Sequence, residues 1–155
     1  MVCPDWRDPL NVGSVFRLAD AAGLSGLVLG GKTPAPPNNK INKTARSTVR
    51  SIPYAIAIDT LAWLVAKQQA GALIIALEIT DQSQSLLSYR LPDHVLNGDR
   101  EVYLIAGSES AGIAPELLAI CDQAVHLPMF GQNTSMNVAV AMGAAVYLLL
   151  AQFDA

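Results

Sequence analysis

A carboxylate set inside a glycine- and serine-rich turn is the most chemically suggestive feature of this chain. The run Val102 to Leu118, VYLIAGSESAGIAPELL, begins as a short apolar β-type segment, breaks at Gly107 and re-enters a helical pattern at Ala114-Pro115. A strand, a tight loop and a helix start together present backbone N–H groups to a ligand at the carboxyl end of a sheet. Loops that cradle phosphate combine Gly with Lys and Ser or Thr, whereas this one has no Lys and carries Glu109 at its centre. A carboxylate there repels phosphate, so GSESAG is a poor P-loop and a poor dinucleotide fingerprint. Its chemistry suits a ligand with hydroxyls, amines or a positive centre. An ordinary turn between strand and helix is the competing reading.

The elements that must position this loop alternate between strand and helix patterns. WRDPLNVGSVFRLADAAG carries apolar Val12, Val15, Phe16 and Ala19 at helical spacing, with Asn11 where an N-cap would stand and Gly23 at the C-terminal end. Arg17 lies on that helix with Asp20 three residues on, the spacing of a surface ion pair. Leu27 to Gly31 and Ile52 to Ile58 read as strands, and Thr60 to Ala70 as a helix with Leu61, Leu64 and Val65 on one face. Ala72 to Leu77, ALIIAL, is the continuous apolar run of a parallel strand covered on both sides. A polar stretch (Thr80 to Ser85), a short turn at Leu91-Pro92 and the Asn97-Gly98 turn lead into the central strand before Gly107, and Val125 to Leu127 forms a last short strand. The final helix, with Ser135 as N-cap, is apolar nearly all the way round from Val138 to Leu150. Such a helix needs the core on one side and something else on the other, most simply a second copy in a homodimer. The alternation predicts one α/β domain over residues 1–155 with a mostly parallel sheet flanked by helices.

Composition narrows the class. The chain has 155 residues, 52% hydrophobic and 15% charged, which suits a folded domain and excludes a disordered one. Cys3 and Cys121 are too few and too far apart for a disulfide framework or a metal cluster, which favours a reduced, cytoplasmic setting. The longest apolar stretch, Val138 to Ala151, falls short of the roughly 20 residues of a membrane span, and no signal-peptide pattern opens the chain. The net charge of −3 is unevenly spread, with seven Lys or Arg against three Asp in residues 1–50 and three against ten acids thereafter. Between Asp20 and Asp59 there is no acid, yet Lys32, Lys40, Lys43, Arg46 and Arg50 all fall there, in and beyond the Pro- and Asn-rich loop KTPAPPNNKINKTARS. A basic segment on an acidic body can track a phosphate backbone, or it can be a solvated loop.

Three stretches, DPLNVGSVFRLADAAG, LIAGSESAGI and LPMFGQNTSMNVAVAMGAAVY, taken in this order and spacing, resemble the SpoU (TrmH) family of RNA ribose 2′-O-methyltransferases of the SPOUT superfamily. The basic loop TPAPPNNKINKTARSTV is similar to a segment found in part of that family. The resemblance implies a single SPOUT catalytic domain with a C-terminal deep trefoil knot, an S-adenosylmethionine site made by the knot, an obligate homodimer and a tRNA or rRNA substrate. It implies neither a metal nor a membrane. The family's first strand is here shortened to Met1–Cys3, and no additional RNA-binding domain is expected.

Position by position, the resemblance assigns Gly107, Leu127, Met129 and Met136 to the cofactor and Arg17, Asn11, Glu109, Ser135 and Asn137 to the methyl-transfer centre. Lys32, Lys40, Lys43, Arg46 and Arg50 would contact RNA. A guanidinium stays protonated at ordinary pH. Arg17 is therefore expected to hold a phosphate and stabilise developing oxyanion charge, Glu109 to orient the loop or Arg17, and Asn11, Ser135 and Asn137 to fix the hydroxyl and the cofactor carboxylate. The alternatives are an inactive RNA-binding homodimer of the same fold and a Rossmann-like nucleotide enzyme; the second lacks a glycine fingerprint after its first strand.

Overall fold

Val2 and Cys3, and beside them Val28 and Leu29, are all buried although successive side chains of a strand face opposite ways. Strands apolar on both sides need a covering layer on each, and the computed structural model, which describes residues 1–98 and 100–153, supplies both. Its elements run β1 (Val2–Pro4), α1 (Pro9–Ala21), β2 (Leu27–Gly30), α2 (Asn39–Ala45), a 3₁₀ segment (Arg46–Arg50), β3 (Tyr54–Ala57), α3 (Thr60–Gln69), β4 (Leu73–Leu77), β5 (Gln84–Ser85), α4 (Asp93–Leu96), β6 (Val102–Ala106), α5 (Pro115–Ala119), β7 (Gln123–His126) and α6 (Val138–Leu150). The seven strands lie in the order β3-β2-β1-β6-β4-β7-β5, and all the strand pairings are parallel. The α/β expectation and the central place of β6 are thus met.

The two apolar layers follow the alternation. Cys3, Leu29, Ile75, Leu104 and Val125 face a core shared with Phe16 of α1, Ile41 of α2 and Met142 of α6. Val2, Val28, Ile74, Ala76 and Ile105 face a second core with Leu64 of α3 and Leu117 of α5. The chain travels outward from β1 through β2 and β3, then crosses to β4, and β6 later fills the gap between β1 and β4. Strand order reverses there, and in such sheets ligands bind beyond the carboxyl ends of the strands at the reversal. Trp6 ties this edge together: its fully buried ring donates Nε1–H to the Ala106 carbonyl at 2.8 Å, joining the segment before α1 to the end of β6.

Several local expectations need correction. α1 is capped by Asp8, whose carboxylate accepts the Leu10 N–H at 2.8 Å with Pro9 opening the helix, and not by Asn11. Asn11 consequently lies inside the first turn, only 7% exposed. The basic loop contains α2, started by the Asn38 side chain, which accepts from the N–H groups of Lys40 and Ile41. Only Ile41 and Ala45 of that helix are buried, too few apolar positions to register as periodicity. α6 is capped by Asn137, not Ser135, because the amide oxygen of Asn137 reaches the N–H groups of Ala139 and Val140 at 2.9 and 3.2 Å. In α3 the buried pair is Thr60 and Leu64, with Leu61 and Val65 only partly covered. Short β5 falls within the stretch read as polar, and α4, which the sequence reading did not separate, lies between the turns read at Leu91-Pro92 and Asn97-Gly98. Among the described residues the one ion pair is Lys67–Glu101 at 3.5 Å, so Arg17 and Asp20 do not pair. No helix is long and apolar enough to cross a membrane among the described residues.

Gly13 is where α1 and α2 touch: a Cβ there would overlap Thr44 Oγ1 and the Ile41 carbonyl oxygen. Gly13→Ala should therefore cost about 1–3 kcal/mol, lowering the thermal midpoint by roughly 2–4 °C per kcal/mol. Circular dichroism melts check this, and an unchanged midpoint would contradict the close approach.

Candidate active site at the carboxyl edge of the sheet

The loops that leave β4, β6 and β7 converge on a cavity of about 530 Å³. The β6 loop is rigid for identifiable reasons. Ser108 and Gly112 exchange backbone hydrogen bonds at 3.1 and 3.0 Å, and Gly112 has a φ of 67°, which favours glycine. At Gly107 a Cβ would overlap the Gly112 backbone, so only glycine lets the two strands of the turn close. Glu78, leaving β4, braces the turn from outside: one carboxylate oxygen accepts the Ile113 N–H at 3.0 Å and the other its neighbour Ile79 N–H at 3.1 Å.

A directional chain of side-chain hydrogen bonds crosses the mouth of the cavity. The Asn137 oxygen is taken up by the α6 cap, so its Nδ2 donates, to Asn11 Oδ1 at 3.0 Å. With its oxygen accepting, Asn11 donates Nδ2 to Glu109 Oε1 at 2.9 Å. The other Glu109 oxygen accepts the Arg7 N–H at 3.2 Å. Partial burial pushes the Glu109 carboxyl up, but hydrogen bonds from Asn11, its own N–H and the N–H groups of Arg7 and Asp8 outweigh this and hold it below its ordinary value.

Gly107, Glu109, Leu127, Met129, Ser135, Met136 and Asn137 all line the cavity, and Asn11 joins them through the hydrogen-bond chain. Arg17 does not. It is exposed on α1, six residues beyond Asn11 and so on a different face of a 3.6-residue helix. The Glu109 carboxylate therefore orients Asn11 and the Arg7 backbone, and not Arg17. The five basic residues are all exposed but divide: Arg46 and Arg50 border a groove with Pro36, Pro37 and Tyr54, Lys40 and Lys43 project from α2, and Lys32 stands apart beside Arg7.

Sequence reasoning missed Trp6, Arg7, Glu78 and His126. Glu78 directly follows the ALIIAL strand, and a carboxylate at the carboxyl end of a central parallel strand was the available signal. His126, whose Nδ1 is 2.9 Å from Ser83 Oγ, also lines the cavity. Burial pushes both thiols, Cys3 and Cys121, up to about 12, which disfavours nucleophilic thiolate chemistry. No group of potential metal ligands occurs among the described residues.

Because the folded carboxyl of Glu109 is held below its ordinary value, its ionised form stabilises the fold above that ordinary value, and the contribution fades as pH falls through the depressed one. Glu109→Gln should lower the thermal midpoint at neutral pH, with the gap from wild type closing on acidification. A gap independent of pH would show that the ionised carboxylate is not what holds the loop.

The family model described as the SpoU rRNA Methylase family matches residues 1–147. Among curated proteins, the chain is 28% identical over 147 residues to the putative TrmH family tRNA/rRNA methyltransferase YacO of Bacillus subtilis, covering 95% of this chain and 56% of that protein. It is 30% identical over 143 residues to the 23S rRNA (guanosine(2553)-2′-O)-methyltransferase RlmP of the same organism, covering 92% and 54%. The chain thus spans about half the length of these curated relatives. The AdoMet-bound rRNA methyltransferase from Sinorhizobium meliloti superposes with a TM-score of 0.84 at 28% identity, covering 95% of this chain and 53% of that one. A structure described in terms of the 2-OH methylation of C/U34 on tRNA superposes with a TM-score of 0.84 at 27% identity, covering 99% of this chain and 94% of that one. With residues 1–147 matched, nearly its whole length, the chain belongs to the SpoU rRNA methylase family.

Proposed function

We propose that this chain transfers a methyl group from S-adenosylmethionine to a ribose 2′-hydroxyl of tRNA or rRNA, acting as a cytoplasmic homodimer without a metal. The observation that carries this is the Glu109–Asn11–Asn137 hydrogen-bond chain, which gathers residues from three distant segments at the rim of a cavity of suitable kind. A volume of about 530 Å³ lies within the usual range for small-molecule sites. Gly107 allows backbone to approach a ligand closely, Leu127, Met129 and Met136 offer apolar surface to an adenine ring, and Glu78 and Glu109 give a negative border to a cation. In the same proposal the segment from β6 to α6 is threaded through the family's trefoil knot, which would fix the two cofactor loops against each other.

S-adenosylmethionine, when bound, supplies an electrophilic methyl group on its positively charged sulfur. The protein's task is then to align the hydroxyl and accommodate the charge left as its proton departs. Ser135 and Asn11 hold the hydroxyl at the cavity mouth, and Asn137 sets the position of Asn11. Arg17 must come from a second copy. It shares an α1 stripe with Leu10, Ser14 and Ala21, beside α6, where Leu18 packs near Gly143 and the Tyr147 hydroxyl donates to the Ala21 carbonyl at 3.3 Å. Val140, Ala144, Tyr147 and Ala151 form an exposed stripe on α6, with Val140 61% and Tyr147 53% exposed. Pairing this α1–α6 face with its twin covers the stripe and directs each Arg17 toward the other protomer's cavity, to stabilise oxyanion charge and hold the neighbouring phosphate. The relative that matches this chain in length concerns tRNA, which makes tRNA the first substrate to assay.

Incubation with methyl-labelled cofactor and total RNA, followed by nucleoside mass spectrometry, should yield 2′-O-methylated nucleosides. Binding of RNA and cofactor without transfer would leave the inactive-module alternative. Arg17→Ala should slow turnover by about 100-fold or more with cofactor affinity by calorimetry unchanged. Mixing Arg17→Ala with Ser135→Ala protomers should restore activity, because a mixed dimer holds one intact composite site; no recovery on mixing would place Arg17 outside the partner's site.

A further inference from the structure

The Ser108–Gly112 turn has a second side. There, Asp5, Arg7, Lys32, Pro34, Ser108 and Ala111 border a groove of about 630 Å³ over Trp6, and Ser108 also lines the cavity described above. Groove and cavity therefore lie on the same turn and share Ser108.

The groove is a built feature. Trp6 beneath it is fully buried, its backbone N–H donating to Thr33 Oγ1 at 3.0 Å and its Nε1–H to the Ala106 carbonyl at 2.8 Å. The backbone of Arg7 is fixed by Glu109, at 3.2 Å. The backbone of Lys32 is fixed by Asp5, whose Oδ1 accepts the Lys32 N–H at 2.9 Å. Asp5 and Gly31 both adopt positive φ, 52° and 57°, and a Cβ on Gly31 would overlap the Asp5 carboxylate. The one acid in the groove is thus engaged with backbone. Since Lys67–Glu101 is the sole ion pair among the described residues, neither Arg7 nor Lys32 has a carboxylate partner there. Two exposed cations with anchored main chains and no ion-pair partner outnumber the single carboxylate of the groove, which leaves it net positive and able to take an anion.

We propose that this groove seats a backbone phosphate of the RNA strand next to the nucleotide whose ribose enters the cavity, with Arg7 and Lys32 as its two cations. The assignment rests on the methyl-transfer function proposed above and extends it. It makes Glu109 a link between chemistry and substrate, because its two oxygens hold Asn11 on the cavity side and Arg7 on the groove side. It also gives Lys32 a place distinct from the α2 lysines, at the point where the strand meets the reacting sugar.

The test is fluorescence anisotropy with short labelled single-stranded RNAs, one of uridine alone and one of mixed sequence, over a series of KCl concentrations. Arg7→Ala and Lys32→Ala should each weaken binding of both RNAs alike and lower the slope of log affinity against log salt by about 1. Arg7→Lys should keep the slope, and cofactor affinity by calorimetry should match wild type throughout. A double Arg7→Ala/Lys32→Ala variant with the wild-type slope, while Lys40→Ala/Lys43→Ala loses it, would overturn the groove assignment. A wild-type chain that fails to bind the cofactor would instead overturn the methyl-transfer function beneath it.

Discussion

The site depends on the polarity of one amide. Because the oxygen of Asn137 caps α6, its nitrogen must point outward, which forces the Asn11 oxygen inward and the Asn11 nitrogen onto Glu109. Each link has one orientation open to it, so a helix start near the end of the chain dictates where a carboxylate in another loop can lie. Such a chain is worth more than its separate bonds when its members are partly shielded from water, and a broken link leaves a polar group unpaired. Asp8 makes this possible by taking over the capping of α1 and leaving Asn11 free to serve the site.

The rest of the edge is arranged around that constraint. Trp6 pins the segment entering α1 to the end of β6, Glu78 braces the turn after β6, and Gly13 brings α2 hard against α1. Trp6 and Gly13 lie away from the cavity while Glu78 also lines it, yet each fixes the backbone from which a lining side chain projects. Placement by main-chain contacts would suit the proposed methyl transfer, whose rate would come mainly from alignment of two bound partners.

The layered fold was legible because strands buried on both faces read as uninterrupted apolar runs, as ALIIAL does. The pocket loop was legible because a carboxylate among glycines is chemically odd. What stayed hidden had physical causes. Ser135 and Asn137 are both good caps, and only the three-dimensional path of the loop decides which of them reaches the first free N–H groups of α6. α2 offers just Ile41 and Ala45 to the core, so its helical period is invisible beneath a basic, proline-rich composition. Arg17 lies in the same motif as Asn11, but residues close in sequence on a helix need not share a face, and six positions separate these two.

The order β3-β2-β1-β6-β4-β7-β5 carries a consequence for biosynthesis. β1 and β4 leave the ribosome well before β6, which must later slide between them, so the nascent chain bears two naked inner edges that native pairing cannot yet satisfy. Unpaired strand edges recruit other chains, and long-range parallel pairing is slow. Until β6 pairs with both, those two edges stay open to other chains, so slow insertion of β6 would favour association of newly made copies.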